Sequence, residues 1–208
     1  MAIPKDLLSL YRGLSIKEAF YVRARLAISP IEYIEHALPS IGNIYDIGCG
    51  VGLLSNVIAL GSEKRRVVGI DLSSEKIGIA RRSVGSRDNI KFEIGDALTM
   101  AIDHPDAVTA CDLLHHIKAD MQERLLRRIY QLLGAGGMLL IQDIDTRPLC
   151  KYLFARSVDM VLNNAEPVYY RRCGEWVSLL KAIGFKVDIV NLHKGYPIAA
   201  ILFNCVKN

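Results

Sequence analysis

Residues 44–52 read IYDIGCGVG, an apolar strand that runs straight into a turn with glycines at 48, 50 and 52. Ile44, Tyr45 and Ile47 are the β-branched and aromatic residues of a short buried strand. The glycines let the main chain turn sharply without Cβ clashes, so a ligand can lie directly on the backbone. Behind the turn, residues 53–60 (LLSNVIAL) read as a helix whose first N–H groups point back at that ligand.

The spacing narrows the ligand. A dinucleotide fingerprint anchored on Gly48 and Gly50 needs its third glycine at 53, where this chain has Leu53. Asp46 lies two residues before the first glycine, and Asp71 ends the next predicted strand, residues 66–71 (RVVGID). An acid in that place can accept hydrogen bonds from two ribose hydroxyls, each worth about 1.5–3 kcal/mol to a charged acceptor.

Taken together, DIGCGVG followed by VVGID resembles the first two motifs of the class I S-adenosylmethionine-dependent methyltransferases. The resemblance covers residues 40–207 and continues in order. Gly95-Asp96-Ala97 resembles the third motif, residues 107–117 (AVTACDLLHHI) the strand-four motif, and residues 132–143 (LLGAGGMLLIQD) the turn into strand five. It implies that Asp46, Gly48, Cys49, Gly50 and Gly52 surround the methionine part of the cofactor. By the same resemblance Asp71 and Leu72 hold the ribose, Asp96 and Ala97 the adenine, and Asp112 and Leu113 flank both parts. The cofactor implied is S-adenosylmethionine, with S-adenosylhomocysteine as product.

The fold implied is an α/β, Rossmann-like three-layer sandwich. Its seven-stranded, mostly parallel sheet has the order 3-2-1-4-5-7-6 with strand seven antiparallel. The sequence supports that last strand independently. Residues 185–192 and 197–207 are joined by only HKGY, and a parallel crossover needs a dozen or more residues. The whole chain, 1–208, reads as one such domain, with a helical cap over 1–39 and an insertion at 145–172.

At 208 residues the chain can bury one sizeable core, and its 51% hydrophobic content argues against disorder. Net charge is +4, from 26 basic and 22 acidic residues, with the arginines in scattered pairs such as Arg65-Arg66, Arg127-Arg128 and Arg171-Arg172. Such pairs read as solvated helix faces, and without a continuous basic track nucleic acid is disfavoured as a partner. Five cysteines without C-x-x-C spacing point to neither a disulfide framework nor a zinc site, and a reducing cytoplasm fits them. No stretch reaches the roughly 18 apolar residues of a membrane span.

In the cap, Ser15 to Glu18 forms a capping box with Leu14 as a staple, and Ser29 to Glu32 repeats the device. Ile16, Ala19, Phe20, Leu26 and Ala27 then give the first helix its apolar stripe. Tyr11, Tyr21 and Arg23 are the cap residues expected to touch substrate, because in the resembling family such a segment closes the pocket. The insertion offers Leu149, Leu153, Phe154, Val158, Val161 and Leu162 on one helical face, then Tyr169, Tyr170, Arg171 and Arg172. That face fits a substrate lid, with Tyr169, Tyr170 and Arg171 toward the acceptor, and equally a cover for the sheet or a homodimer contact.

The reaction implied is in-line displacement of the sulfonium methyl by an O, N or C nucleophile of a small-molecule acceptor. If a base takes part, it is His115 or His116, beside the cofactor edge after strand four. Adjacent histidines are expected to point apart, and no metal is expected. The helix over 119–133 reads as scaffold. Transfer to RNA or protein and a non-catalytic, cofactor-binding role stay open at this stage, whereas Leu53 and the terminal hairpin disfavour a nicotinamide oxidoreductase.

Overall fold

The computed structural model describes residues 7–162, 167–192 and 194–208, without the side chains of 159, 161 and 162; Asn163, Asn164 and His193 lie outside the described residues. A short helical turn at Leu7–Tyr11 precedes α1 (Ile16–Ile28) and α2 (Ile31–Ala37). Then follow β1 (Gly42–Ile47), α3 (Leu53–Gly61), β2 (Arg65–Asp71), α4 (Ser74–Arg82), β3 (Ile90–Ile94) and β4 (Ala107–Cys111). A single turn at Leu114–His116 leads to α5 (Ala119–Leu132), β5 (Met138–Ile144), α6 (Leu149–Leu162), α7 (Cys173–Ile183), β6 (Phe185–Asn191) and β7 (Ala200–Lys207).

The sheet order is β3-β2-β1-β4-β5-β7-β6. β1 to β5 run parallel, while β7 is antiparallel to both β5 and β6, as the short final connection requires. Strand alternation divides the core between the two faces. Ile44, Val67, Leu140 and Leu202 look toward α1–α4, whereas Val68, Leu139, Ile141, Ile201 and Phe203 look toward α5 and α7. Within α5, Leu125, Leu126 and Ile129 are buried against that second face, where Trp176 and Leu180 of α7 join them.

β1 sits between β2 and β4, with Ile47 level with Ile70 on one side and Ala110 on the other. The chain leaves β1 toward β2 but returns to β4 on the opposite side. The glycine turn therefore opens where the strand order reverses, the usual crevice for a ligand in an open α/β sheet.

The cap departs from the sequence reading in two ways. Ser15 and Glu18 do form a capping box, but Ser29 closes α1, its N–H donating to the Arg25 carbonyl at 3.0 Å. α2 then starts after Pro30, which stands at the N-cap itself and has no side-chain acceptor to offer. The apolar stripe is also only partly used: Leu26 packs half-buried against the core, but Ile16 is 92% and Phe20 66% exposed, and Val22 carries the fully buried contact.

The arginine pairs are not uniformly solvated. Arg65 is buried on β2, where its guanidinium meets Glu35 at 2.5 Å and the carbonyls of Pro39 (2.8 Å) and Ile58 (3.0 Å), tying α2 to the sheet. Arg128 binds the carbonyls of Ala97 and Met100 in the same manner. Guanidinium groups satisfy several carbonyls at once, and a pair count in sequence does not reveal that use.

Candidate active site

The turn after β1 is fixed before any ligand arrives. The N–H groups of Gly48 and Cys49 both donate to the Ile70 carbonyl, at 2.8 and 3.0 Å, and Gly50 N–H donates to Asp71 Oδ2 at 2.8 Å. Glycines 48, 50 and 52 all have positive φ. At Gly48 a Cβ would fall 2.6 Å from the Leu113 side chain, whereas at Gly50 the nearest atom would be Lys76 Cδ at 4.0 Å. The main chain at Gly50 is thus an open floor, bounded by Leu113 on one side.

Over this floor lies a cleft lined by Asp46, Gly48, Cys49, Gly50, Asp71 and Lys76 on the strand side, and by Tyr21, Arg25, Ile31 and Ile34 from the cap. Cys111, Asp112, Leu113, His116 and Gln142 close it beyond β4. A second hollow shares Gly48, Asp71 and Leu113 with the first and continues between Leu72, Asp96, Ala97, Leu98 and Ile117. Asp71 stands where the two join. Its Oδ1 accepts the Ser73 N–H at 2.8 Å, which also steers the chain into α4.

Asp46 is buried, and its carboxylate accepts from Ser55 Oγ at 2.5 Å and Thr109 Oγ1 at 2.7 Å. Burial pushes its carboxyl up to about 6 against the opposing pull of those two hydroxyls. Cys49 and Cys111 also line the cleft, and burial, aided by the Asp46 charge, raises both thiols well above their ordinary range. Neither is a thiolate nucleophile.

Beyond β4 the chain kinks at Asp112, whose φ is +49. That kink turns its carboxylate into the cleft, where Oδ2 meets Arg25 Nη2 at 2.6 Å and Oδ1 accepts from Gln142 Nε2 at 3.0 Å. Arg25 comes from α1, one turn after Tyr21, so both face the cleft. The sequence reading chose Arg23, which is exposed on another face of the helix. Tyr11 also lies away from the cleft. Its buried hydroxyl donates to the Val51 carbonyl at 3.1 Å and accepts from Asn56 Nδ2 at 2.8 Å, bracing the glycine turn from behind.

The two histidines differ. His116 lines the cleft, whereas His115 is buried with Nδ1 2.6 Å from Asp143 Oδ1 at the end of β5. Their side chains do not point apart: the tight turn at 114–116 brings the ring centroids to 4.2 Å. Tyr170 stacks on His115 at 4.8 Å and 18°, and the Tyr169 N–H donates to the His115 carbonyl at 2.6 Å. Arg171 turns from the cleft to α5, its Nε donating to Gln122 Oε1 at 2.6 Å and its guanidinium lying 5.5 Å above the Trp176 ring. Gln122 Nε2 in turn lies 2.9 Å from the carbonyls of both Leu114 and Ile117 and 3.0 Å from that of Tyr169. One amide on a helix read as scaffold therefore clasps the histidine turn to the tyrosine segment. On α6, Leu149, Leu153 and Phe154 are largely exposed, and among the described side chains of that helix Ala155 is the buried one.

Among the described residues no group of three or more histidines, cysteines or acids is arranged to hold a metal. The sheet order, the antiparallel β7 and the glycine turn flanked by Asp46 and Asp71 define the fold of the class I S-adenosylmethionine-dependent methyltransferases. Residues 44–137, from β1 to the turn before β5, match the family described as "Methyltransferase domain". A trans-aconitate 2-methyltransferase of Variovorax paradoxus is 27% identical over 172 residues, covering 78% of this chain and 64% of that one. A ubiquinone biosynthesis O-methyltransferase of Xanthomonas campestris is 32% identical over 117 residues, covering 54% of this chain and 46% of that one. The pyocyanin biosynthetic protein PhzM superposes with a TM-score of 0.74 at 20% identity, over 98% of this chain and 62% of that structure. The chain thus spans between about half and two thirds of the length of these three proteins.

Proposed function

We propose that the chain transfers a methyl group from S-adenosylmethionine to a small-molecule acceptor. The observation that carries this reading is the two-part trough over the Gly50 floor, with Asp71 at its divide. The residues fit the cofactor part by part. Asp71 keeps a second lone pair on each oxygen for the ribose hydroxyls. The hollow between Leu72, Ala97, Leu98, Leu113 and Ile117 is lined mostly by apolar side chains, as an adenine ring requires, with Asp96 among its lining. Arg25 and Asp112 carry opposite charges toward the cleft, the complement of an amino-acid zwitterion.

S-adenosylmethionine supplies an electrophilic methyl on a sulfonium whose leaving form is a neutral thioether. The protein's task is then chiefly alignment and exclusion of water, effects that reach about 7–11 kcal/mol. Tyr21 and Arg25 of α1 and Ile31 and Ile34 of α2 roof the cleft, which favours an acceptor small enough to be enclosed. Arg65, Arg128 and Arg171 are spent on carbonyls and side chains of the scaffold, which removes them from any basic track for nucleic acid. No described helix is long and apolar enough to cross a membrane.

Calorimetric titration with S-adenosylmethionine, S-adenosylhomocysteine and NAD tests the reading. Binding of the first two and not the third is expected. Binding of NAD alone, or of none of the three, would overturn it.

A further inference from the structure

We propose that the outer face of α1 docks on an anionic lipid surface, with Ile16 and Phe20 entering the bilayer interface and Arg12, Lys17 and Arg23 meeting its headgroup phosphates. Ile16 and Phe20 stand one helical turn apart, and Ile16, at 92%, is the most exposed large apolar side chain among the described residues. Both face water although Val22, on another side of the same helix, is buried in the core. At about 100° per residue, Ile16, Phe20, Arg23 and Ala27 fall on a single stripe, and all four are exposed. Lys17 lies beside that stripe, and Arg12 precedes the helix.

Charge decides what such a stripe fits. Arg12, Lys17 and Arg23 are exposed, and none of them makes an ion pair or a side-chain hydrogen bond among the described residues. Glu18, the one acid of α1, turns instead to Arg82 of α4 at 2.9 Å, while its other oxygen takes the Ser15 N–H at 2.7 Å. The outer face is therefore apolar at its centre and cationic at its rim, with no acid of its own. Anionic phospholipid complements both parts: the apolar side chains reach the acyl boundary, and the long basic side chains extend to the phosphates. The attachment is peripheral, with α1 lying in the plane of the interface.

Two other occupants fit less well. A second copy packed on this stripe about a two-fold axis would bring Lys17 and Arg23 toward their own copies, like charges with no acid between them. Single-stranded nucleic acid suits the cations, but it stacks its bases on rings, and Ile16, the more exposed of the two apolar residues, offers none. Tyr21 and Arg25 leave the same helix toward the cleft, so one element carries both the lipid face and part of the cleft roof. The surface itself lies outside the cleft and stands whether or not the methyl-transfer reading holds.

The test is co-sedimentation of the full chain with vesicles of equimolar phosphatidylcholine and phosphatidylglycerol, beside vesicles of phosphatidylcholine alone. Binding to the mixed vesicles is expected to be about tenfold or more tighter than to the neutral ones and to fall as salt is added. Phe20→Ser should weaken it by about tenfold, the worth of one buried ring, and Lys17→Gln and Arg23→Gln by about fivefold each. All three side chains are exposed and none lines the cleft, so melting temperature and S-adenosylhomocysteine affinity should be kept. Ile16→Ser serves as the second apolar variant if the Phe20 form melts early. No binding to the mixed vesicles, equal binding to the neutral ones, or binding unchanged in both serine variants would overturn the assignment. So would self-association in ultracentrifugation that Phe20→Ser abolishes, which gives the face to a second copy, or tighter binding to polyuridylate than to the mixed vesicles, which gives it to nucleic acid.

Discussion

Asp71 reaches back across the mouth of the sheet to hold the Gly50 N–H at 2.8 Å, so the acid that ends β2 also fixes the turn that ends β1. The two motifs, 21 residues apart (71 minus 50), are one mechanical unit. An acid at that position does not wait for a ligand; it first shapes the floor on which the ligand lies.

Asp71→Ala is accordingly expected to act twice. Loss of charge-assisted bonds should weaken S-adenosylmethionine binding by about 2–4 kcal/mol, and release of the turn should lower the melting temperature of the ligand-free protein. Calorimetry and thermal unfolding on the same preparation check both effects. Unchanged affinity in a folded variant would remove the ribose assignment.

Arg25→Met should weaken S-adenosylhomocysteine by about 1.5–3 kcal/mol, the range for a hydrogen bond to a charged group. Methylthioadenosine, which lacks the amino-acid end, should lose little. If both ligands weaken alike, Arg25 only props the cap against Asp112. If neither changes, the ion pair has no part in cofactor binding.

Asp46 gives a pH signature. Its folded-state carboxyl stands at about 6, above the ordinary aspartate value, so the native state holds a proton that the unfolded chain has given up. Stability from this group is therefore fullest below about pH 4 and is lost as pH rises through about 6, by roughly 3 kcal/mol if the whole shift is realised. Denaturant titrations of the wild type and Asp46→Asn across that window should differ in slope, with the asparagine form flatter.

The cysteines should separate by alkylation. Cys150 is exposed, whereas Cys49 and Cys111 are held as thiols well above their ordinary range. Brief iodoacetamide treatment near pH 8, read by peptide mass spectrometry, should label Cys150 and spare the two cleft residues. Rapid labelling of Cys49 would contradict the burial described for the glycine turn.

The sheet was legible because its signals are local and repeat: buried strands, glycine turns, and a final loop too short for a crossover. The strand side of the cleft was legible for the same reason, since Gly48, Gly50, Asp71 and Asp96 stand at or just beyond their strand ends at short, fixed spacings. The far side was not. Arg25 differs from Arg23 only in helical phase, and Ile16 and Phe20 look like a core stripe until the neighbouring elements fix which face is covered. The His115–Asp143 pair joins residues 28 apart, and the Gln122 clasp joins residues 47 and 49 apart. No local pattern announces such pairings. The reading of α5 as scaffold was right for its apolar face and missed the one polar residue that face buries.

Arg171 lies over Trp176, and the sequence contains one tryptophan. The segment that carries Tyr170 therefore brings its own optical probe. A guanidinium taken off that indole alters its emission, so loss of the clasp between Arg171 and Gln122 can be read in the unlabelled protein. Fluorescence of Arg171→Ala beside the wild type would calibrate that signal.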